Sequence, residues 1–425
     1  MKEGETRMEN ILEELKWRGL VKDCSNEEAL KKLLENKQTI YCGFDPSAKS
    51  MHLGNFVMIS ILMHLQRAGH KIIALVGGVT GMIGDPSGKS QERNLLDVKT
   101  LENNRASIKK QLERFLDLED ESKGELLDNY EWLGHLTVID FLRNYGKYFP
   151  INYMLSKDII ASRMSAGISY SEFSYMILQS IDFLHLYDDK KCHIQIGGSD
   201  QWGNLTSGLE LIRKVRGTDA DVEVLTAPLI TRSDGRKFGK SEEGALFLDK
   251  ELTSPYKLYQ YLVNSTDEDA LRYLKIFTFL SKEEIEKISE EHVKAPHLRL
   301  AQNTLAYEVT KAIHGEEGAL EAKRMSEILF SGDVTSLNKS QLEEVFSSFI
   351  HEINEEMKLE DLLIVVGAAK SKREAREFLS GNSIQLNGEK IKDGELIISK
   401  EHALYSTYYV LKRGKKNYYL VKLTY

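Results

Sequence analysis

The chain has 425 residues, of which 41% are hydrophobic and 29% are charged, and its formal net charge is −8. That length suits two or three domains, and the lack of any apolar run near the ~20 residues of a membrane span argues against a membrane protein. The acidic balance argues against a general nucleic-acid binder. The first 20 residues have no uniform apolar core, so we expect no secretory signal.

The three cysteines, Cys24, Cys42 and Cys192, lie far apart in the sequence. Because there is no Cys-x-x-Cys pair, the sequence predicts neither a disulfide framework nor a cysteine zinc site. A reducing cytoplasm is the simplest compartment for such a chain.

Charge is unevenly distributed along the chain. Residues 357–425 hold 13 Lys and Arg against 8 Asp and Glu, which is a net charge of +5. Because the whole chain has a net charge of −8, the preceding 356 residues have a net charge of −13. A basic tail on an acidic body is typical of a protein in which one part contacts RNA or phosphate.

The first elements in chain order predict a parallel sheet. Residues 9–36 have the pattern of two helices, and 38–44 form a short β-rich run. Residues 53–70 are apolar at helical length, and 71–78 have a buried-strand pattern that ends in glycines. A strand, a helix and a strand with short connections form a βαβ unit.

The later elements extend this pattern. Residues 91–190 are mainly helical in pattern, and strand candidates follow within 193–204 and 222–231. From 255 to 330 the pattern is helical throughout, whereas 329–340 loses periodicity and indicates the start of a linker.

Three segments, 41–55, 77–93 and 195–201, place glycines and polar residues where a strand gives way to a helix. In an open α/β sheet, ligands bind beyond the carboxyl ends of strands, where helix N-termini present backbone N–H groups. Each segment alone could be a tight turn, but three together favour a nucleotide site. The run GDPSGKS at 84–90 is not a P-loop, because only three residues separate its glycines.

A further run, GRKFGKS at 235–241, places Lys237 and Lys240 on either side of Phe238 and Gly239. Lysines on a glycine-bearing loop can move onto a polyphosphate and release it later, which suits phosphoryl and nucleotidyl chemistry. A solvated basic loop is the alternative interpretation.

Two of these runs together resemble the signatures of class I aminoacyl-tRNA synthetases. HLGN at 52–55 is similar to His-Ile-Gly-His, and KFGKS at 237–241 is similar to Lys-Met-Ser-Lys-Ser. Longer runs, YCGFDPSAKSMHLGN, LVGGVTGMIGDPSGKSQER, SEFSYMILQSIDF and QIGGSDQWGN, resemble the bacterial tyrosyl-tRNA synthetases, and this resemblance extends over essentially the whole chain.

The resemblance implies an α/β fold with a Rossmann-like parallel sheet. It implies a catalytic domain at 1–230 with N-terminal helices and a helical insertion, and a KMSKS-like loop with an all-helical anticodon-side domain at 231–330. A linker at 331–356 and a small α+β, S4-type RNA-binding domain at 357–425 are expected to follow.

The implied activity is that of a tyrosine–tRNA ligase, which converts L-tyrosine and ATP to tyrosyl-adenylate and transfers the tyrosine to tRNA(Tyr). ATP is then a substrate, Mg²⁺ accompanies its phosphates, and no protein metal site is expected. A tryptophanyl-tRNA synthetase and a synthetase-fold RNA-binding regulator are the alternatives. Tyr41 with Asp182 favours tyrosine, and both Lys237 and Lys240 speak against lost catalysis.

A helix expected over 171–187 has Tyr175, Gln179 and Asp182 on one face. If that face is buried, its polar side chains must hydrogen-bond to one another or to a ligand. The alternative is that the face is exposed to solvent. The resemblance assigns Tyr41 and Asp182 to the substrate phenol. The tyrosine-binding residues that it implies are Tyr41, Thr80, Asp85, Tyr175, Gln179, Asp182 and Gln201.

The resemblance also implies an ATP site around the two signatures. Asn55 stands where the family usually has a second histidine, and its amide can donate a hydrogen bond as an imidazole does. The implied ATP-binding residues are Cys42, Gly43, Asp45, Ser47, His52, Gly54, Asn55, Gly198, Asp200, Leu229, Ile230, Lys237 and Lys240. The implied catalytic residues are His52, Asn55, Lys89, Arg93, Lys237, Lys240 and Ser241.

The tail at 359–391 resembles an S4-type module. Its basic residues Lys370, Lys372, Arg373 and Arg376 lie near the start of a second helix, where they are expected to contact tRNA phosphates. A solvated helix face is the alternative. The family also implies a homodimer, for which 139–154 is a candidate interface, and neither DNA nor a membrane is expected as a partner.

Overall fold

The structure is a computed structural model of the chain, and it describes residues 10–88, 96–165, 167–241, 244–331, 333–347, 350–414 and 417–425. The described residues fall into two compact units. Unit 1 contains the residues up to Ser254 together with Tyr261–Val309, and unit 2 contains Pro255–Gln260 and the residues from Thr310 to Tyr425.

The core of unit 1 is a sheet that has six strands among the described residues. The strands are β1 (Asp23–Cys24), β2 (Thr39–Phe44), β3 (Lys71–Val76), β4 (Gly124–Asp128), β5 (Cys192–Gly198) and β6 (Glu223–Ala227). Their spatial order is β1-β6-β5-β2-β3-β4, in which β1 alone among these strands pairs antiparallel. The expected α/β fold with a parallel sheet is confirmed.

Strand β2 occupies the centre of this sheet. It pairs with β3 on one side and with β5 on the other, so that Tyr41 lies between Ile73 and Gln195. All of β3 after Lys71 is buried, as expected for a parallel strand covered on both faces. The strand order reverses at β2, and this reversal opens a crevice at the carboxyl ends of β2 and β5.

Among the helices described in the first part of unit 1, five begin at a polar side chain that accepts a backbone N–H of the first turn. Ser169, for example, accepts the backbone N–H of Glu172 at the start of the longest of them. The helices of this part are α1 (Ile11–Trp17), α2 (Glu27–Leu34), α3 (Phe56–Arg67), α4 (Thr80–Ile83), α5 (Val98–Phe115), α6 (Tyr130–Leu133), α7 (Val138–Asp140), α8 (Ile151–Leu155), α9 (Asp158–Ala161), α10 (Tyr170–Lys190) and α11 (Trp202–Arg216). The buried face of α10 and α11 packs with β2 and β5 around Tyr41, Phe183 and Leu205.

The region expected to be helical from 255 to 330 is helical. It contains α12 (Pro255–Val263), α13 (Asp267–Phe277), α14 (Lys282–Lys294) and α15 (Leu300–Ser331). Helix α15 is kinked at Gly315, whose φ is 84°. In chain order, a short antiparallel pair lies between β6 and α12, formed by β7 (Lys240–Ser241) and β8 (Gly244–Ala245). No helix in the described part of the chain combines the length and apolarity needed to cross a bilayer.

Unit 2 contains a small antiparallel-rich sheet of spatial order β12-β11-β14-β15-β9. Its elements are α16 (Lys339–Val345), β9 (Ile350–Ile353), β10 (Met357–Lys358), α17 (Leu359–Val365), α18 (Lys372–Ser380), β11 (Ile384–Leu386), β12 (Glu389–Lys390), β13 (Ile397–Ile398), β14 (Tyr408–Arg413) and β15 (Asn417–Leu423). The turn at Asn387 and Gly388 has φ angles of 51° and 87°, as the hairpin requires.

Two stretches differ from the sequence-based expectation. Within 91–190, expected to be mainly helical, Gly124–Asp128 form the edge strand β4, because the backbone pairs with β3. Within 331–356, expected to be a linker, α16 is helical and β9 pairs parallel with β15. The second stretch is therefore folded, since its strand completes the sheet of unit 2.

Candidate active site

A cleft of about 570 Å³ lies at the carboxyl ends of β2, β3, β5 and β6. It brings together the glycine-bearing turns, the polar face of α10 and the loop with the two lysines. The predicted site residues that line it are Tyr41, Cys42, Gly43, Asp45, Ser47, His52, Gly54, Asn55, Thr80, Asp85, Tyr175, Gln179, Asp182, Gly198, Asp200, Gln201, Leu229, Ile230, Lys237 and Lys240.

Among the described residues that were predicted as catalytic, Ser241 is not one of those that line the cleft. Ser241 lies in β7, where its hydroxyl donates to the carbonyl oxygen of Gly244 at 3.2 Å. Lys89 and Arg93 lie outside the described residues.

Asp182 is buried at one end of the cleft, where two side chains donate to it. Asn129 Nδ2 is 3.0 Å from Asp182 Oδ2, and Trp132 Nε1 is 2.7 Å from Oδ1. Burial raises the pKa of Asp182 from 3.8 to about 8, although these two hydrogen bonds act in the opposite direction. Asn129 and Trp132 were not among the predicted residues; both follow β4, the strand that the sequence pattern missed.

Tyr41 and Gln179 present unpaired polar atoms to the same cleft. The Tyr41 hydroxyl and Gln179 Oε1 are buried and have no hydrogen-bond partner among the described residues. Burial, and then the negative charge of Asp182, raise the pKa of Tyr41 well above its ordinary value. Leaving a buried polar atom unpaired costs about 1–3 kcal/mol, so a polar ligand placed here would recover that free energy.

Asp45 accepts hydrogen bonds from two residues that were predicted to bind the substrate tyrosine. The hydroxyl of Tyr175 donates to Oδ2 at 2.6 Å, and Thr80 Oγ1 donates to Oδ1 at 2.7 Å. Asn129 links this group to Asp182, because its Nδ2 lies 3.0 Å from Thr80 Oγ1. The two ends of the cleft therefore share one hydrogen-bonded network.

Asp85 forms a second buried carboxylate site. It accepts from the Ser87 hydroxyl at 2.6 Å and from Gln201 Nε2 at 2.6 Å. Asn204, which sequence reasoning missed, lies 3.1 Å from Gln201 Oε1 and 3.4 Å from Asp85 Oδ1. A cleft lined by carboxylates with fixed orientations suits an ammonium group.

The HLGN turn lies where the chain leaves β2 for α3. Asn55 Oδ1 accepts the backbone N–H of His52 at 3.0 Å, and His52 pairs with Phe247 as an antiparallel bridge. A Cβ atom at Gly54 would lie 2.9 Å from Cε1 of the His52 ring. Glycine is therefore required here for the imidazole to keep its position.

The loop with the two lysines lies directly on that turn. Gly239 has a φ of +79°, and a Cβ atom there would lie 3.1 Å from the backbone nitrogen of Gly54 and 3.1 Å from Leu53 Cβ. Lys237 and Lys240 flank this contact and line the cleft. Positive charge thus borders the side of the cleft where helix α3 begins.

The predicted RNA-binding residues lie in unit 2, around the start of α18. Lys372 pairs with Asp361 at 2.7 Å, and Arg376 pairs with Glu360 at 2.8 Å. Lys370 and Arg373 are exposed and form no ion pair among the described residues.

Comparison with known proteins identifies the family. The family described as tRNA synthetases class I (W and Y) matches residues 32–331, and the Tyrosine--tRNA ligase SYY-like C-terminal domain matches 341–421. A tyrosine–tRNA ligase of Bacillus caldotenax is 52% identical over 418 residues, covering 97% of this chain and 99% of the relative. The corresponding ligase of Listeria innocua is 47% identical over 416 residues, with 97% and 99% coverage.

Solved structures agree with this result. A C-terminally truncated mitochondrial tyrosyl-tRNA synthetase of Aspergillus nidulans is 32% identical with a TM-score of 0.69, covering 77% of this chain and 96% of its own. A tryptophanyl-tRNA synthetase of Encephalitozoon cuniculi is 14% identical with a TM-score of 0.53, covering 73% and 87%, and is alike in fold alone. The resemblance seen in the sequence is confirmed, and the chain belongs to the tryptophan and tyrosine group of class I tRNA synthetases.

Proposed function

We propose that the chain is a tyrosine–tRNA ligase. It activates L-tyrosine with ATP, releasing pyrophosphate, and then transfers the tyrosine to the 3′ end of tRNA(Tyr). The near full-length identity to tyrosine–tRNA ligases is the observation that carries this proposal. The buried, unpaired hydroxyl of Tyr41 in the same cleft as Asp182 gives it a physical basis.

The substrate phenol is held between Tyr41 and Asp182. A tyrosine hydroxyl gives Tyr41 the partner it lacks, whereas phenylalanine leaves the buried Tyr41 hydroxyl unpaired and makes no hydrogen bond with Asp182. Asn129 and Trp132 fix the orientation of the Asp182 carboxyl through their hydrogen bonds. The substrate ammonium lies toward Asp85, Tyr175 and Gln179, with Thr80 and Gln201 nearby.

ATP occupies the opposite part of the cleft, against the HLGN turn. It enters as its Mg²⁺ complex, in which the phosphates and water supply most of the ligands. His52 and Asn55 hold the nucleotide at the start of α3, and Leu229 and Ile230 line the adenine slot.

The first step needs no general base. The tyrosine carboxylate is ionised at neutral pH and attacks the α-phosphorus in line, while the bond to pyrophosphate breaks. Lys237 and Lys240 stabilise the negative charge that develops on the leaving pyrophosphate. In the second step a 3′-terminal ribose hydroxyl attacks the carbonyl carbon of the adenylate and AMP leaves.

Unit 2 supplies the contact with tRNA. Lys370 and Arg373 provide cations without ion-pair partners among the described residues, and phosphate contacts of this kind position an RNA without reading its sequence. Cys24, Cys42 and Cys192 are free thiols, which supports the reducing cytoplasm as the place of action.

The insertion carries a surface suited to a homodimer. Val138 is 74% exposed, Ile139 is 72% exposed, and Leu142 and Ile151 are also exposed. Several large apolar side chains exposed within one short segment are typical of an interaction surface. We expect Ile139→Asp to convert a dimer to a monomer in sedimentation velocity, and a wild-type chain that is monomeric at micromolar concentration would contradict the dimer.

ATP–pyrophosphate exchange measured across the amino acids tests the activity. Tyrosine alone should support exchange, and Asp182→Ala should abolish it. Asp189→Ala is the matched control, since Asp189 lies on the same helix with an exposed carboxylate and should leave exchange unchanged. Exchange with tryptophan would favour the tryptophanyl enzyme, and tRNA binding without exchange would favour a regulator.

A further inference from the structure

The loop that bears Lys237 and Lys240 is anchored by one aromatic side chain. Phe238 is only 5% exposed. Its ring stacks on Phe277 with centroids 4.5 Å apart and lies 4.6 Å from the ring of Tyr273. The ring of Tyr261 meets it edge-on at 5.8 Å. An apolar anchor between two lysines fixes the loop while leaving its charges at the cleft.

A hydrogen bond fixes the centre of the same loop. The backbone N–H of Gly239 donates to the Tyr261 hydroxyl at 2.9 Å, and Gly239 itself is buried. Gly239 directly precedes Lys240 and packs against Gly54 in the HLGN turn. Tyr261 therefore acts on the backbone at the point where the two signatures touch.

The base of the loop is held independently of Tyr261. The hydroxyl of Tyr273 donates to the Thr231 carbonyl oxygen at 3.0 Å, and Asp269 accepts the Ser233 N–H at 3.0 Å. Removing the Tyr261 hydroxyl would thus leave the loop attached at its base and at Phe238. Only the amide beside Lys240 would lose its partner.

We propose that Tyr261 is a positioning residue for the activation step. Its hydroxyl holds the Gly239 amide and so places Lys240 where pyrophosphate departs, although Tyr261 does not itself line the cleft. This inference rests on the proposed function, because it assigns Lys240 to the ATP phosphates. When a charge-stabilising group is displaced slightly, its interaction with the reacting groups weakens most in the transition state, where the charge develops.

Tyr261→Phe tests this role, because it keeps the ring against Phe238 and removes only the acceptor. We expect the rate constant of adenylate formation at saturating ATP and tyrosine to fall about ten-fold. The dissociation constant for tyrosine and the melting temperature should change little. Tyr259→Phe is the matched control, since it removes the hydroxyl of another buried tyrosine side chain on the same helix.

A double-mutant cycle with Lys240→Ala separates positioning from a general loss. If Tyr261 acts through Lys240, Tyr261→Phe should slow the Lys240→Ala enzyme by less than about two-fold. Equal ten-fold losses in both backgrounds, an unchanged rate in the wild-type background, or a matching loss of tyrosine affinity would each overturn the inference. Failure of the wild-type chain to catalyse tyrosine-dependent exchange would instead reject the proposed function.

Discussion

Asn55 occupies the position of the second histidine of the usual signature, and its two amide atoms are in different situations. The oxygen accepts the His52 N–H at 3.0 Å, which closes the turn. The nitrogen makes no hydrogen bond among the described residues, although the side chain lines the cleft. The turn therefore directs the amide donor away from the His52 backbone nitrogen, as the predicted contact with ATP requires.

Substitutions at Asn55 separate these two functions. We expect Asn55→Ala to slow adenylate formation about ten-fold or more, the effect of losing ~1–2 kcal/mol from one neutral hydrogen bond. Asn55→Asp keeps an acceptor for the His52 N–H but places a negative charge near the phosphates, so it should be slower still. Rapid quench with ATP titration measures both variants, and an unimpaired alanine variant would show that Asn55 does not contact ATP.

Burial of Asp182 should make the stability of the ligand-free protein depend on pH. Its pKa is 3.8 in the unfolded chain and about 8 in the folded one. Between these values the folded chain holds a proton that the unfolded chain has released, so the free energy of unfolding falls as pH rises. Relative to Asp182→Asn, the wild type should lose up to about 1.4 kcal/mol per pH unit.

Urea unfolding of both proteins at pH 5, 6, 7 and 8 measures this difference. The variant serves as the reference because every other titrating group is common to the two proteins. If the free energy of unfolding of the two proteins varied with pH in the same way, Asp182 would be ionised in the folded state. The hydrogen bonds from Asn129 and Trp132 favour that ionised form.

Residues inside a motif could be predicted from the sequence, and residues that support them could not. Tyr41, Asp182 and Lys240 belong to runs with a recognisable order. Asn129 and Trp132 belong to no such run, and they reach Asp182 only because a short edge strand places them there. The available signal was the rule that polar residues just beyond the carboxyl end of a parallel strand face the ligand.

At the scale of elements, α1 is joined to the end of α13 by one buried side chain. Arg18 is 3% exposed and donates to the carbonyl oxygens of Lys275, Thr278 and Leu280 at 3.0, 3.0 and 2.8 Å. The last carbonyls of a helix have no partner within the helix, and a cation also interacts favourably with that end. The same helix carries Phe277, which supports the lysine loop.

Loss of the Arg18 contacts should destabilise unit 1. We expect Arg18→Met, which keeps the apolar stem, to lower the free energy of unfolding by about 3 kcal/mol or more, since it leaves buried carbonyls unpaired. Arg18→Lys should restore only part of this, because an ammonium lacks the guanidinium fork.

Chemical denaturation measures these changes, and Lys31→Ala is the control. Lys31 forms an exposed ion pair with Glu13 at 3.1 Å, and its loss should cost less than about 1 kcal/mol. If Arg18→Met were as mild as this control, Arg18 would not fix α13.

Elements with strong periodicity were predicted, and elements formed by pairing were not. Residues 71–76 are apolar and form β3 as expected. The run GELLD at 124–128 has only two apolar residues, and it is a strand because β3 offers it an edge. Residues 350–353 become β9 for the same reason, because β15 offers them an edge. The local sequence cannot show this, since the paired residues Ile350 and Leu420 are far apart in the chain.

At the scale of the whole molecule, tyrosine activation and tRNA charging should be separable by truncation. A chain that lacks residues 338–425 keeps every residue of the cleft, so we expect it to retain tyrosine-dependent exchange and to lose tRNA charging. Cutting at 338 rather than 357 avoids leaving β9 without β15. Exchange and aminoacylation assays test this, and normal charging by the truncated chain would contradict it.

A full-length variant makes the same test without truncation. Lys370→Ala combined with Arg373→Ala should weaken tRNA binding and reduce its dependence on salt, with exchange unchanged. Lys372 and Arg376 are unsuitable for this purpose, because their ion pairs with Asp361 and Glu360 also stabilise unit 2.

The central position of β2 has a consequence for the chain as it leaves the ribosome. Residues 39–44 emerge early and pair with β3 soon afterwards, but their other neighbour, β5, begins only at Cys192. Throughout that interval of synthesis one edge of an apolar strand has no partner, and such an edge pairs readily with other chains. The strand order that opens the cleft therefore makes the nascent first half of unit 1 dependent on shielding, by the ribosome surface or a chaperone, until β5 arrives.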